Sequence, residues 1–202
     1  MKLVIRQYGD PILRAKGKRV ENIDDGIRRL AHNMIETMQA ANGVGLAAQQ
    51  IGESLQVTVL DISQVEDRPS TMKLDGADID PKTAMPLVLI NPEIRMNNET
   101  EIGVEGCLSF PEITGDIERA GSVTVLADTL EGKRIEIEAG GLLARAIQHE
   151  VDHLNGILFI DRMSSAAKAA ISSRLKRLQK QTQRGKRLRA QELESVASET
   201  TL

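Results

Sequence analysis

Residues 140–156 read GGLLARAIQHEVDHLNG and contain two of the three histidines of the chain. An α-helix advances about 3.6 residues per turn, so residues four positions apart lie on one face. The imidazoles of His149 and His153 could therefore bind one metal ion together. Glu150 follows the first histidine directly and could carry a proton at that ion. The stretch predicts a helix that ends at Asn155-Gly156 and carries a catalytic metal site.

A catalytic metal site needs a third protein ligand and an open position for water. Cys107 is the only cysteine, and Gly106 before it permits an unusual backbone conformation. We therefore expect Cys107, His149 and His153 to be the ligands. Two alternatives for the cysteine remain: a small buried apolar residue, or a nucleophile with a histidine as its base. The nucleophile would leave the second histidine and Glu150 without a role.

The composition is ordinary for a soluble globular protein of 202 residues, with 41% hydrophobic and 27% charged residues. Only Tyr8, Phe110 and Phe159 are aromatic, so the core should be aliphatic. A single cysteine excludes an intramolecular disulfide and favours a reducing compartment. The sequence has no apolar run of membrane-spanning length and no signal-peptide pattern at its start. We expect a cytoplasmic protein that does not bind a membrane.

The charge is distributed unevenly along the chain. Residues 1–163 carry 17 Lys and Arg against 26 Asp and Glu, a net charge of −9, whereas residues 164–191 carry nine basic residues and no acidic one. This predicts a catalytic domain over residues 1–163 and a basic C-terminal helix and tail over 164–202. The segment 164–190 is either an amphipathic helix packed on the domain or an arm that binds RNA phosphates through counterion release.

The remaining pattern predicts an α+β fold with mostly antiparallel sheets around the central helix that bears the two histidines, plus a C-terminal helix. A first helix should begin at Asp24-Asp25 and end near Ala41-Asn42-Gly43. Residues 63–86 are polar and predict a long surface excursion. Strands are expected at residues 56–61, 87–91, 122–128, 134–138 and 157–160, and the third and fourth should form a hairpin through Gly132. The final helix is expected at about 164–184.

GVGLAAQQ, at residues 43–50, begins with glycines and ends with two glutamines. It lacks the third glycine and the lysine of a phosphate-binding loop. A glutamine amide next to a close-lying backbone could stabilise a developing oxyanion. The alternative is a tight turn with an exposed glutamine.

The segments GVGLAAQQ, EGCLS and QHEVDH, in this order, resemble the three motifs of the peptide deformylase family. The similarity extends over about residues 3–165 and includes the DPILR, LINP and LNG segments. It implies that Cys107, His149 and His153 are the metal ligands and that Glu150 is the general acid and base. It also implies that Gln50 and the backbone N–H of Leu108 stabilise the oxyanion, and that Arg119 pairs with Glu105.

The same resemblance implies that Val44, Gly45, Leu142 and Ala146 bind substrate, with the three larger side chains against the methionine. Ordinary core packing is the alternative for Leu142 and Ala146. The sequence departs from the family at Thr114, where members often have an arginine seven residues after the cysteine. Contacts to the peptide beyond its methionine are therefore an open question.

The implied reaction is hydrolysis of the N-formyl group from the first methionine of newly synthesised polypeptides, with release of formate. Cysteine and histidine ligands alone would suit zinc, whereas the resemblance implies one Fe²⁺, with Zn²⁺ or Ni²⁺ in some preparations. The expected partners are nascent formyl-methionine polypeptides and the ribosome, the latter through residues 164–190, with no DNA. The alternatives are a zincin-type endopeptidase, which usually has its third ligand downstream, and a non-catalytic metal-bearing RNA-binding module.

Overall fold

A computed structural model describes residues 1–199 of the chain. Within these residues there are four α-helices: α1 (Asp25–Ala40), α2 (Gly141–Leu154), α3 (Ser165–Ala170) and α4 (Ser172–Glu199). There are also nine strands: β1 (Gly45–Ala47), β2 (Val57–Leu60), β3 (Ser70–Leu74), β4 (Ala77–Ile79), β5 (Leu87–Met96), β6 (Thr100–Gly106), β7 (Thr114–Ala120), β8 (Ser122–Asp128) and β9 (Arg134–Gly140).

Seven strands form one sheet in the order β1-β2-β5-β8-β9-β3-β4, and β6 and β7 form a separate hairpin. Every strand pair in both sheets is antiparallel. The predicted α+β class, with antiparallel sheets and a C-terminal helix, agrees with this architecture. None of the helices in the described part of the chain is long and apolar enough to cross a bilayer.

Helix α2 is enclosed by the elements around it. All of its residues from Leu142 to Leu154 are buried, which is typical of a helix enclosed by other elements. It contacts the main sheet on one side and β7 of the hairpin on another. As predicted, it ends at Asn155-Gly156, where Gly156 has a φ of +73° that favours glycine.

The core is mainly aliphatic, as the scarcity of aromatic residues indicates. One apolar cluster joins α2 to the main sheet through residues such as Leu89, Ile137 and Leu143. A second cluster joins α1 to β2. The third contains Phe110 and Phe159 and is completed by Leu175 and Leu178 of α4. The beginning of α4 is therefore part of the packed core.

Several local predictions are confirmed. Asp24 caps α1 by accepting a hydrogen bond from the backbone N–H of Ile27. Strands β8 and β9 form the expected hairpin, in which Gly132 has a φ of +78°. The final helix differs from the prediction, because it is divided at Ile171 into α3 and α4 and continues to Glu199.

The prediction that residues 63–86 form only a surface excursion is wrong. The segment contains β3 and β4, and β3 pairs with β9 to extend the main sheet. Asp75 and Gly76 connect them with φ angles of +49° and +84°, the conformation of a two-residue hairpin turn. The Asp-Gly pair is the signal that the polar composition of the segment obscured.

Two further differences concern short strands. Residues 157–160 do not form a strand; the chain there is irregular and enters a 3-10 turn at Phe159–Asp161. Leu158, Phe159 and Ile160 are buried in the aromatic cluster, whereas Ile157 is exposed. Burial, and not strand pairing, explains that apolar run. The hairpin of β6 and β7 was not predicted, because it reverses the usual pattern: Ile102 and Val104 are exposed, whereas Glu105 and Arg119 are buried.

Candidate active site

Helix α2 brings His149, Glu150 and His153 to one buried location. Their exposed fractions are 8%, 4% and 1%, so all three polar side chains lie in the interior. Burial of ionisable groups is costly unless they have partners. Their arrangement therefore depends on what surrounds them.

Cys107 follows the last residue of β6 and faces the histidines. Its Sγ lies 3.2 Å from Nε2 of His153. One potential ligand atom each from Cys107, His149 and His153 lie within 4.8 Å of one another. The structure thus brings together the three residues that the sequence predicts as metal ligands.

Glu105 orients His149. Its Oε2 accepts a hydrogen bond of 2.9 Å from Nδ1 of His149, which leaves Nε2 as the free ring nitrogen. Arg119 donates two hydrogen bonds of 2.9 Å to the same carboxylate, as the resemblance implied. Burial raises the pKa of Glu105, but the hydrogen bonds from Arg119 and His149 outweigh burial and hold its pKa well below the usual range. Glu105 is therefore ionised at neutral pH.

The charges around Glu105 form a connected buried network. Arg145 donates hydrogen bonds of 2.9 Å to Glu105 and to the carbonyl of Ile117. Asp152 accepts from Arg119 and from Arg162, so it is neither exposed nor directed at the cysteine. No local pattern indicates the contribution of Arg145, because it depends on contact between Glu105 on a strand and a helix residue 40 positions away.

Gln50 is buried beside Cys107. Its Oε1 accepts a 2.8 Å hydrogen bond from the backbone N–H of Ala47, which directs the NH₂ group the other way. That group donates to Ser109 Oγ at 3.2 Å and lies 3.5 Å from Cys107 Sγ. The alternative of an exposed glutamine in this turn is therefore wrong.

Glu150 lies against the backbone of β1. A methyl group added to Gly45 would overlap its Oε1, so glycine permits this close approach. Its Oε2 has no hydrogen-bond partner within the described part of the chain. Burial raises the pKa of Glu150 to about 7. The carboxyl group can therefore gain or lose a proton near neutral pH.

These groups surround an apolar cavity of about 460 Å³. Its walls include all the residues predicted to act in catalysis or to bind substrate: Val44, Gly45, Gln50, Leu108, Leu142, Ala146 and Glu150. Of the three predicted ligands, Cys107 and His149 also line it. Sequence reasoning missed Arg68 and Glu112 on its walls; the first belongs to the segment that was interpreted as a surface excursion.

A cysteine sulfur and two imidazoles next to a carboxyl group of raised pKa are the groups that a metal-dependent hydrolase uses. The chain belongs to the peptide deformylase family, whose family model, Polypeptide deformylase, matches residues 2–169. Members of this family are metal-dependent and remove the N-formyl group from nascent polypeptides. The predicted family, reaction and enzyme class are confirmed.

The similarity extends over nearly the whole chain. A peptide deformylase from Opitutus terrae is 46% identical over 190 residues, which are 93% of this chain and 98% of the relative. The crystal structure of a peptide deformylase from Thermotoga maritima is 41% identical, with a TM-score of 0.69 over 81% of this chain and 99% of the other. A plant peptide deformylase is 35% identical, with a TM-score of 0.79 over 91% of this chain and 92% of the other.

Proposed function

We propose that this chain deformylates nascent polypeptides with Cys107, His149 and His153 as ligands of one divalent metal ion. Glu150, Gln50 and the backbone N–H of Leu108 act on the substrate beside it. The observation that carries the proposal is that the three ligand atoms lie within 4.8 Å of one another, and that Cys107 and His149 line the same cavity as Glu150.

The residues fit a metal ion. The sulfur of Cys107 and a ring nitrogen of His153 lie only 3.2 Å apart, and the second imidazole, His149, is oriented by a carboxylate. This arrangement is typical of the ligands of one tetrahedral metal site. The family resemblance supports Fe²⁺, and Zn²⁺ or Ni²⁺ can occupy such ligands in preparations. A bound metal ion lowers the pKa of water and polarises a carbonyl group.

Glu150 carries the proton. Because its pKa is about 7, it is partly ionised at neutral pH and can accept a proton from the attacking water. The same carboxyl group then donates a proton to the amine nitrogen that leaves. Gly45 permits this position of Glu150, because a residue without a side chain lets the carboxyl group lie against the backbone of β1.

Gln50 and Leu108 stabilise the oxyanion. The carbonyl oxygen of Gln50 is held by Ala47, so the amide N–H₂ is directed to the side of Cys107 before substrate binds. The backbone N–H of Leu108 donates no hydrogen bond within residues 1–199. Two donors are thus available for one oxygen.

The methionine side chain of the substrate occupies the apolar part of the cavity. Val44 enters from the segment before β1, and Leu142 and Ala146 enter from successive turns of α2. A flexible thioether side chain fits an irregular aliphatic wall of this kind. The formyl group then lies toward Glu150, and the rest of the polypeptide leaves through the opening.

The division into a catalytic domain, residues 1–163, and a basic helix and tail, residues 164–202, remains a prediction. Residues 200–202 of that tail lie outside the described part of the chain.

We also propose that residues 164–190 bind the ribosome, which is consistent with a cytoplasmic enzyme. Leu175 and Leu178 are buried, whereas Lys176, Arg177 and Lys180 are exposed. Packing and RNA binding can therefore occur on different faces of α4.

Ribosome binding is tested by replacing Lys176, Arg177 and Lys180 together with glutamine, which leaves the buried leucines intact. We expect weaker ribosome co-sedimentation, a smaller salt dependence of binding and unchanged turnover of a short peptide. Binding equal to that of the wild type would contradict this role. Truncation after Ser164 is a poorer test, because it also removes two core leucines.

The catalytic proposal is tested by formate release from formyl-Met-Ala-Ser, with protein prepared anaerobically with Fe²⁺. Glu150→Gln should retain one metal ion per chain and lose nearly all turnover, and Gln50→Ala should lose about 10²–10³-fold in rate. A Glu150→Gln variant with the kcat of the wild type would refute the assigned proton carrier. Absence of turnover in the metal-loaded wild type would refute the proposed reaction.

A further inference from the structure

Arg68 lines the cavity, although no motif includes it. It lies in the connection between β2 and β3, and its side chain forms part of the wall that also contains Val44 and Leu142. The residue is exposed, so it lies where the cavity meets solvent. It belongs to residues 63–86, for which no sequence motif indicates a function.

The backbone next to Arg68 is attached to the beginning of α2. The carbonyl of Pro69 accepts a 3.2 Å hydrogen bond from the N–H of Leu142, and Ser70 Oγ accepts a 3.0 Å hydrogen bond from the N–H of Leu143. A helix leaves its first N–H groups unsatisfied, and this segment supplies their acceptors.

Gly141 makes the attachment close. Its φ is +64°, and a methyl group there would overlap the carbonyl oxygen of Pro69. The residue before Pro69 is therefore held beside Leu142, which we have placed against the methionine side chain. The backbone of Arg68 is thereby held at the mouth of the cavity.

The other arginine on the cavity wall is already neutralised. Arg145 is buried, and its guanidinium binds Glu105 and the carbonyls of Ile117 and Glu101. Arg68 has no hydrogen bond or ion pair to any residue that the structure describes. It is thus an arginine available to a ligand at the opening of the cavity.

We propose that Arg68 selects polypeptides with an acidic side chain at the second or third residue after the formyl group. The inference rests on the proposed function, which places the methionine among Val44, Leu142 and Ala146. The following residues then pass the cavity mouth, where a guanidinium attracts a carboxylate. Glu112, on the loop after β6, also lines the cavity. Its carboxylate repels acidic side chains of the substrate that come close to it.

The test is a set of formylated tripeptide amides, because an amide removes the terminal carboxylate. Aspartate and lysine are compared at the third residue of formyl-Met-Ala-X-amide and at the second residue of formyl-Met-X-Ala-amide. We expect the wild type to prefer aspartate by about two- to fivefold in kcat/KM, the range of an exposed ion pair. The preference should decrease at high salt.

Arg68→Gln should abolish the preference, and Arg68→Glu should reverse it, while formyl-Met-Ala-Ser-amide is turned over by both. Lys82→Gln is the matched control: it removes an exposed positive charge from the same segment, outside the cavity wall. It should keep the preference. An equal rate for both peptides in the wild type, or an unchanged ratio in Arg68→Gln, would overturn the assignment.

Binding of the product peptides Met-Ala-Asp-amide and Met-Ala-Lys-amide, measured by calorimetry, gives a readout that does not require turnover. If the wild type hydrolysed no formylated peptide but bound the aspartate product more tightly, the proposed reaction would fail and the role of Arg68 would stand. If the wild type hydrolysed the peptides but showed no difference between aspartate and lysine in binding or in kcat/KM, the proposed reaction would stand and the role of Arg68 would fail.

Discussion

Arg174 of α4 donates a 2.7 Å hydrogen bond to the carbonyl oxygen of Glu112. Glu112 has a φ of +59°, a left-handed conformation that residues other than glycine rarely adopt. It lies in the loop that begins with Cys107 and Leu108 and forms part of the cavity wall. The C-terminal helix therefore stabilises the shape of the loop that carries Leu108, the proposed oxyanion donor.

Arg174→Ala should reduce kcat/KM several-fold and lower the free energy of unfolding by about 1 kcal/mol, the contribution of one hydrogen bond. Both are measured on the metal-loaded enzyme, by formate release and urea titration. Lys176→Ala is the control, because it removes a neighbouring exposed positive charge that makes no hydrogen bond to the loop within residues 1–199. Equal kinetics for the two variants would show that the loop does not depend on α4.

Glu105→Gln should weaken both metal binding and the fold. The carboxylate orients His149, and loss of such a partner typically costs about 10–100-fold in metal affinity. It also neutralises the buried Arg119, so the free energy of unfolding should fall by about 3–5 kcal/mol.

The two effects of Glu105→Gln are separated by chelator competition at low temperature and by urea unfolding of the metal-free protein. Glu101→Gln, which changes an exposed carboxylate on the same strand, should leave both quantities unchanged. Wild-type metal affinity in a folded Glu105→Gln protein would mean that His149 is oriented by something else.

Gly45→Ala should reduce kcat at least tenfold while the metal content stays near one per chain. The added methyl group would displace the carboxyl group of Glu150 from the backbone of β1, and small displacements of a catalytic group are expensive. Gly185→Ala, where nothing lies within 4 Å of the new methyl group, provides a comparison. A fully active Gly45→Ala enzyme would mean that Glu150 tolerates another position.

Acid stability should depend on Asp161, which pairs with Arg14. Burial raises the pKa of Asp161, but the hydrogen bonds from Arg14 and from the N–H of Leu158 lower it below the usual value. A depressed pKa in the folded state means that the ionised form favours folding. This contribution is present above the unfolded pKa of about 3.9 and is lost as the pH falls through the folded pKa.

Asp161→Asn should therefore destabilise the protein at pH 7 by about 1 kcal/mol or less, because solvent screens this partly exposed pair. The difference from the wild type should shrink below about pH 4. Urea unfolding at several pH values measures it, with Asp67→Asn as a control at an exposed carboxylate. A difference that grew toward low pH would contradict the sign of the shift.

The sequence predicted the parts of this fold that depend on local spacing. The histidine pair and the closing glycine of α2, the aspartate cap of α1 and the turn at Gly132 all act over a few residues. Cys107 joined them only by elimination and by resemblance, since no spacing rule brings a residue 42 positions away to the same ion.

What could not be predicted depends on contacts between distant elements. Glu105 faces His149 and Arg145 because the hairpin packs on α2. The alternating apolar residues of β6, Ile102 and Val104, are exposed, so their period does not identify the buried face. Residues 157–160 satisfied the pattern of a strand, yet the side chains of residues 158–160 fill the aromatic cluster and the segment pairs with no strand. Periodicity reports that a side chain is buried; it does not report what the side chain is buried against.

Because Pro69 and Ser70 are attached to the first turn of α2, the two ends of this helix have different tasks. Its final turns hold the proposed chemistry, while its beginning is joined to a segment whose length and charge no motif constrains. Changes near Arg68 could therefore alter which polypeptides are processed first, without any change in the groups that break the bond. In this protein, the preference among substrates and the chemical step could be engineered as independent properties.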